Sequence, residues 1–256
     1  MRRLTVLVLV ALVAAACGRG GEVAGQDTTT TAPAETTTTA APAETTTTAA
    51  ETTTTAAPAD PADLPGERVD IFPYEGDELA VVGVERGDEL NLRAGPGVEF
   101  PVIAELAPLA TGVVATGHNR SLAADGFWSE VRVDGQTGWA NSRYLAHLGA
   151  TRDATSELVG TGTPPQASSM EELARQVGDP LIADDTEGTA EAVIVDGPHQ
   201  GDLAEIVVDV VGLPDDSVLG ERLHLFAIRD GSAFILRTIE ATTLCRRGVT
   251  AEGLCV

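Results

Sequence analysis

The sequence predicts a mostly β protein: a small β-barrel followed by a small α+β domain, preceded by a signal peptide and a disordered Thr-rich linker. Three observations carry that prediction. Between residues 66 and 149, short β-prone runs alternate with Gly, Pro and Asp-Gly turns, the grammar of a small barrel. Between residues 168 and 256, one capped helical stretch precedes several apolar β-prone runs, as in a compact α+β domain. Ahead of both, residues 18–65 show no apolar periodicity at all.

The N-terminal 16 residues have the three parts of an export signal. Arg2 and Arg3 supply the positive end, Leu4 to Val13 the apolar run, and Ala14-Ala15-Ala16 the small-residue cleavage site. A bilayer-spanning helix needs about 20 apolar residues, so this run is too short to serve as a permanent span. Cys17 follows at once, and the segment resembles a lipobox, with Ala14 where that motif usually carries Leu. The resemblance implies cleavage before Cys17 and a diacylglyceryl thioether on its sulfur, anchoring the chain to the outer face of the cytoplasmic membrane. Ordinary secretory cleavage after Ala16 would cut the same bond.

Residues 17–65 are the linker. Four Thr tetrads (Thr28–Thr31, Thr36–Thr39, Thr45–Thr48 and Thr52–Thr55) are separated by Ala, Pro and Glu. Such a tract cannot bury enough surface to offset its ordering entropy, and its composition is that of O-glycosylated stalks. As a coil it would span roughly 40 Å; stiffened toward polyproline II it would approach ~140 Å.

Charge and cysteines narrow the function further. The formal charge is −23, and all 16 basic residues are Arg. A field of that sign disfavours nucleic acid and anionic lipid head groups. Three cysteines leave one unpaired; lipidation of Cys17 would remove it and leave Cys245 and Cys255 to pair in an oxidising compartment. The alternatives are two free thiols or, with less support because no Cys-x-x-Cys or His cluster accompanies them, a zinc site.

Strands of the first block are expected at Ala80–Val84, Glu89–Leu92, Val102–Leu106, Thr111–Thr116, Trp128–Val133 and Thr137–Ala140. Asp134-Gly135 marks the hairpin between the last two, and Asn119–Gly126 reads as a polar connection. Residues 150–167 read as a linker. In the second block, Ser169-Met170-Glu171-Glu172 is a capping box, and Gly178 with Pro180 should stop the helix after about two turns. Strands follow at Glu191–Val195, Ala204–Val211, Arg222–Arg229 and Ala233–Thr238, the last two joined through Asp230-Gly231 so that Phe226 faces Ile235 and His224 faces Arg237.

One set of motifs carries a family likeness. Leu90-Asn91-Leu92-Arg93-Ala94-Gly95-Pro96-Gly97, Phe100-Pro101-Val102-Ile103, Trp128-Ser129-Glu130-Val131, Gly138-Trp139-Ala140 and Tyr144-Leu145 occur in that order. Together they resemble a bacterial SH3-like (SH3b) domain, over about a quarter of the chain. Two features depart from the pattern: the long Asn119–Gly126 insert, and Phe100 where Tyr is commoner. The likeness implies a small β-barrel that binds peptidoglycan peptides or another wall component.

Phe100, Trp128 and Tyr144 are the ligand-binding candidates. Trp139 is expected in the barrel core, whereas strict alternation places Trp128 with Glu130 and Arg132, away from Val131 and Val133. Either a bulge turns Trp128 inward or its ring lies part-exposed in a groove. Catalytic residues are not expected. Cys245 and Cys255 are better read as a disulfide, His199 and His224 lack a motif, and Asp184-Asp185 and Asp215-Asp216 sit in turns where Asp caps backbone. No metal or cofactor is predicted. The expected function is therefore a non-catalytic envelope lipoprotein whose partners are wall peptidoglycan or an envelope protein, with the membrane held through Cys17. A scaffold of a wall enzyme and a cryptic wall hydrolase are the alternatives.

Overall fold

A computed structural model describes residues 63–256 apart from Asp184, Thr186 and Glu187. The signal peptide, the lipid on Cys17 and the disordered linker expected from the sequence fall, up to residue 62, outside the described residues. Thirteen strands dominate the rest: β1 (Glu67–Val69), β2 (Glu78–Val81), β3 (Leu90–Arg93), β4 (Val102–Leu106), β5 (Val113–Leu122), β6 (Gly126–Val133), β7 (Gln136–Asn141), β8 (Leu145–Asp153), β9 (Gln166–Ala167), β10 (Glu191–Gln200), β11 (Ala204–Val211), β12 (Val218–Asp230) and β13 (Ala233–Cys245). Two helices, α1 (Thr155–Val159) and α2 (Met170–Ile182), complete the described fold with a 3₁₀ turn at Ser142–Tyr144. The protein is thus mostly β, and its ladders are antiparallel.

The first block turns where its sequence demands. Asp134 and Gly135 sit at φ 48° and 80° between β6 and β7, the positive angles of a type I′ hairpin. Between β3 and β4, Arg93 Nη1 donates to Val98 O at 3.0 Å and Phe100 O at 2.8 Å, while Ala94 N donates to Pro101 O at 3.0 Å. Gly97 takes φ 132°; Gly95 instead lies under the Phe100 ring, which a Cβ would overlap. The polar connection expected at Asn119–Gly126 is largely strand, with only residues 123–125 between β5 and β6. Its polar residues are tolerated because Asn119 Nδ2 donates to Ile71 O at 2.8 Å and Pro73 O at 3.0 Å, and Asn119 Oδ1 accepts from Ser129 Oγ at 2.7 Å.

The expected closed barrel is not formed. Strand order runs as an open path, β10-β11-β12-β13-β8-β2-β5-β6-β7-β3-β4, with β1 on β5 and β9 on β13. β2 pairs with β5 on one side and with β8 on the other, and β4 pairs with β3 at the far end of the path. A core still assembles on one face of these strands, from residues such as Leu79, Val81, Leu92, Val113, Val131 and Ala140.

In the second block, Leu173, Ala174 and Val177 of α2 join Ile206, Val208, Leu223, Leu225 and Ile239 of the sheet in one core. The helix starts where the capping box places it, with Glu172 N donating to Ser169 Oγ at 3.1 Å. It does not stop at Pro180, which lies within it. In the final turn, Pro removes one intrahelical bond but projects into solvent, while Gly178 is buried with only 3.2 Å between its would-be Cβ and Ala192 Cβ. The β12–β13 turn also slips by one residue from the expected position: Gly231 occupies its first central place at φ 60°, between Asp230 and Ala233. Ile228 therefore faces Ile235, and a bulge at Phe226/Ala227 sets His224 opposite Glu240 rather than Arg237.

The two blocks are joined by what had the look of a linker. β8 pairs with β2 through Leu145 and Ala146, then continues along β13 through Asp153, which pairs with Glu240. Residues 150–167 accordingly hold the end of β8, α1 and β9. Val82, Ala146, Val211, Leu219 and Leu244 form an apolar cluster across the join. Beside it, fully buried Asp209 receives Arg222 Nε at 2.7 Å, Arg222 Nη2 at 2.8 Å and Gly83 N at 2.8 Å, and Arg222 Nη2 also reaches Val81 O at 2.8 Å. The predicted disulfide is present: Cys245 and Cys255 are bonded, with Cα atoms 5.2 Å apart. In the chain-entropy account a loop this short stabilises by roughly 3 kcal/mol.

Candidate functional site

The three residues singled out from sequence line neither of the two concavities described below. Phe100 is half-buried in the β3–β4 loop against Gly95. Tyr144 ends the 3₁₀ turn and packs against the first core, with the Arg143 guanidinium 5.6 Å from its ring centroid. Trp128 is only 3% exposed, so the part-exposed groove is not seen. Neither is an inward flip: the β6–β7 register is continuous, Trp128 to Asn141 and Glu130 to Trp139, and the bulge lies in β5 between Ala115 and Asn119. Trp128 therefore stays on the Glu130 side of β6, buried there, and its Nε1 has no hydrogen-bond partner. Trp139 is buried at 4% exposure on that same side, opposite the aliphatic core face of Val131 and Ala140 that it was expected to fill.

The larger concavity lies where the blocks join. It encloses about 860 Å³. Ile71, Phe72, Phe127, Leu145, Val211 and Leu219 supply its apolar walls, and Arg143, Glu191, Asp215, Asp216, Arg246 and Arg247 its charged ones. Each cation is positioned. Arg143 Nη2 meets Glu191 Oε1 at 2.6 Å; Arg247 Nη2 meets Asp216 Oδ2 at 2.9 Å, and its guanidinium lies 6.0 Å from the Phe72 centroid. Arg246 donates to the carbonyls of Asp215 and Leu213, both at 3.2 Å. Asp215 accepts from Ser217 N at 2.8 Å and Val218 N at 2.7 Å, and these bonds hold its carboxyl below the usual carboxylate range. Phe127, 47% exposed, presents an aromatic face to solvent at the cleft.

A smaller pocket of about 330 Å³ lies on the sheet face that carries His199, His224, Glu205 and Glu240. His199 Nε2 pairs with Asp196 at 2.8 Å and His224 Nε2 with Glu205 at 3.1 Å. Its hydroxyls, Thr151 and Thr242, bond each other at 2.7 Å. Among the described residues no group of three His, Cys, Asp or Glu side chains could hold a metal ion, and no helix is long and apolar enough to cross a membrane.

Searches of protein-family models, curated proteins and solved structures give no match to this chain. The cleft residues escape sequence reading because six separate stretches of the chain build the site. The only local hints are the Arg246-Arg247 doublet after Cys245 and the aromatic Phe127 before Trp128.

Proposed function

We propose that this chain is a non-catalytic, exported, lipid-anchored binding protein of the cell envelope, and that its junction cleft takes a wall component. The cleft is the observation that carries this reading. An aromatic and aliphatic wall beside three arginines and three carboxylates suits a short peptide bearing small apolar side chains with both carboxylate and ammonium groups, as the stem peptides of peptidoglycan do. The SH3-like motif order and the lipobox-like segment before Cys17 support the same setting. In this reading the Thr-rich stretch is a spacer that carries the folded body into the wall.

Co-sedimentation of the full chain with purified peptidoglycan tests the reading. Phe127→Ala and Arg143→Ala, both at exposed side chains, should each weaken binding about tenfold. Phe100→Ala should leave it unchanged. Failure of the unaltered protein to sediment, or equal loss with Phe100→Ala alone, would sink the assignment. Intact-mass measurement of protein isolated from membranes checks the lipid on Cys17.

A further inference from the structure

Two of the cleft's arginines belong to a tail with little else to hold it. After Cys245, the chain runs Arg246 to Val256 and returns to the body through the bond to Cys255. Val249, Leu254 and Val256 are all exposed, so no large apolar side chain anchors this segment. Its main-chain attachments are hydrogen bonds, among them Arg246 N to Ser217 O at 2.8 Å, Ala150 N to Gly253 O at 2.8 Å, and within the tail Thr250 N to Leu254 O at 2.8 Å and Val256 N to Gly248 O at 3.3 Å. Isolated hydrogen bonds at a wet surface hold a segment weakly, because water competes for each partner. The disulfide is the covalent constraint on the tail.

The tail in turn forms part of the cleft. Arg246 ties it to the 213–217 loop through the carbonyls of Leu213 and Asp215, and Arg247 ties it to Asp216 and to the face of Phe72. We propose that the Cys245–Cys255 bond is a redox clasp on the cleft: reduction releases the tail, loosens the 213–217 loop and lowers ligand affinity. The regulatory part rests on the cleft's being the ligand site; the mechanical part does not.

The reductant is a dithiol. Cys245 is fully buried and Cys255 half-buried, so a thiolate of the dithiol attacks Cys255 Sγ. The Cys245–Cys255 bond breaks, a mixed disulfide forms on Cys255, and Cys245 leaves as a thiolate that takes up a proton. The reductant's second thiol then displaces Cys255, which leaves as a thiol. Two electrons and two protons pass to the protein, and the reductant departs as its disulfide.

Hydrogen exchange on the full chain, oxidised, reduced with dithiothreitol and then reoxidised, tests the clasp without any ligand. Peptides covering 246–256 and 213–217 should exchange at least tenfold faster when reduced and recover on reoxidation, while β11 and α2 keep their protection. Unchanged exchange in 213–217 on reduction would overturn the proposal. Cys255→Ser provides the same comparison if reduction proves incomplete. Peptidoglycan co-sedimentation, run in parallel, should fall about tenfold on reduction; undiminished binding with a released tail would also overturn it. Absence of binding in both redox states would instead remove the wall-ligand reading, leaving exchange to decide the clasp.

Discussion

At the scale of single residues, the join between the blocks depends on Asp209. Its carboxylate is wholly buried and takes donors from β12 and from Gly83 beyond β2, so one side chain serves both halves. Asp209→Ala would leave the Arg222 guanidinium, only 12% exposed at its side chain, without its counter-ion and Gly83 N–H without an acceptor. The expected loss is about 3–5 kcal/mol in a denaturant titration, larger than for replacing both partners with apolar residues. His147 gives a second prediction. It is 4% exposed, its Nε2 has no hydrogen bond, and Asp77 Oδ2 lies 3.6 Å away. Burial pushes its pKa below the ordinary 6.5, and Asp77 opposes that only in part. Below pH 6.5 the unfolded chain then binds the proton that the folded chain refuses, so this contribution to stability is complete above pH 6.5 and falls as the solution is acidified toward the folded pKa. His147→Gln should flatten the dependence of Tm on pH between about 7.5 and 5; an unchanged slope would assign that dependence to other groups.

At the scale of elements, local chemistry was legible where local chemistry decides. The Asp134-Gly135 hairpin, the Ser169 cap, β11 and the Cys245–Cys255 pair are all written in short segments, and the structure forms each of them. Ser169→Ala should cost about 1 kcal/mol, read as a shift in denaturant midpoint without a change in slope. The misses have a different origin. Pro180 signals a stop, but a proline in the last turn costs little when its ring is solvent-exposed and the preceding face is already packed on the sheet. Residues 150–153 look like linker because they stay largely exposed and their order comes from backbone pairing with β13, almost ninety residues away in sequence. The β12–β13 register turned on which two residues form the turn, and a bulge then shifted the remainder.

At the scale of the whole molecule, the sequence reads as two domains, whereas the described residues share one open antiparallel sheet path through β8. That difference explains why the candidate site was the least legible part. Phe100, Trp128 and Tyr144 are local features of one block, whereas the cleft exists only because Phe72 and Phe127 of the first block face Leu213, Arg246 and Arg247 of the second. The central claim is that this junction, rather than the Gly-Pro-Gly hairpin, receives the ligand. Backbone amide shifts of the labelled full chain, followed by NMR during titration with soluble peptidoglycan stem peptides, test it most directly. The account predicts saturable shifts grouped at Phe72, Phe127, Arg143, residues 211–219 and Arg246–Arg247. Shifts grouped instead around residues 95–101, or no shifts at millimolar peptide, would contradict it.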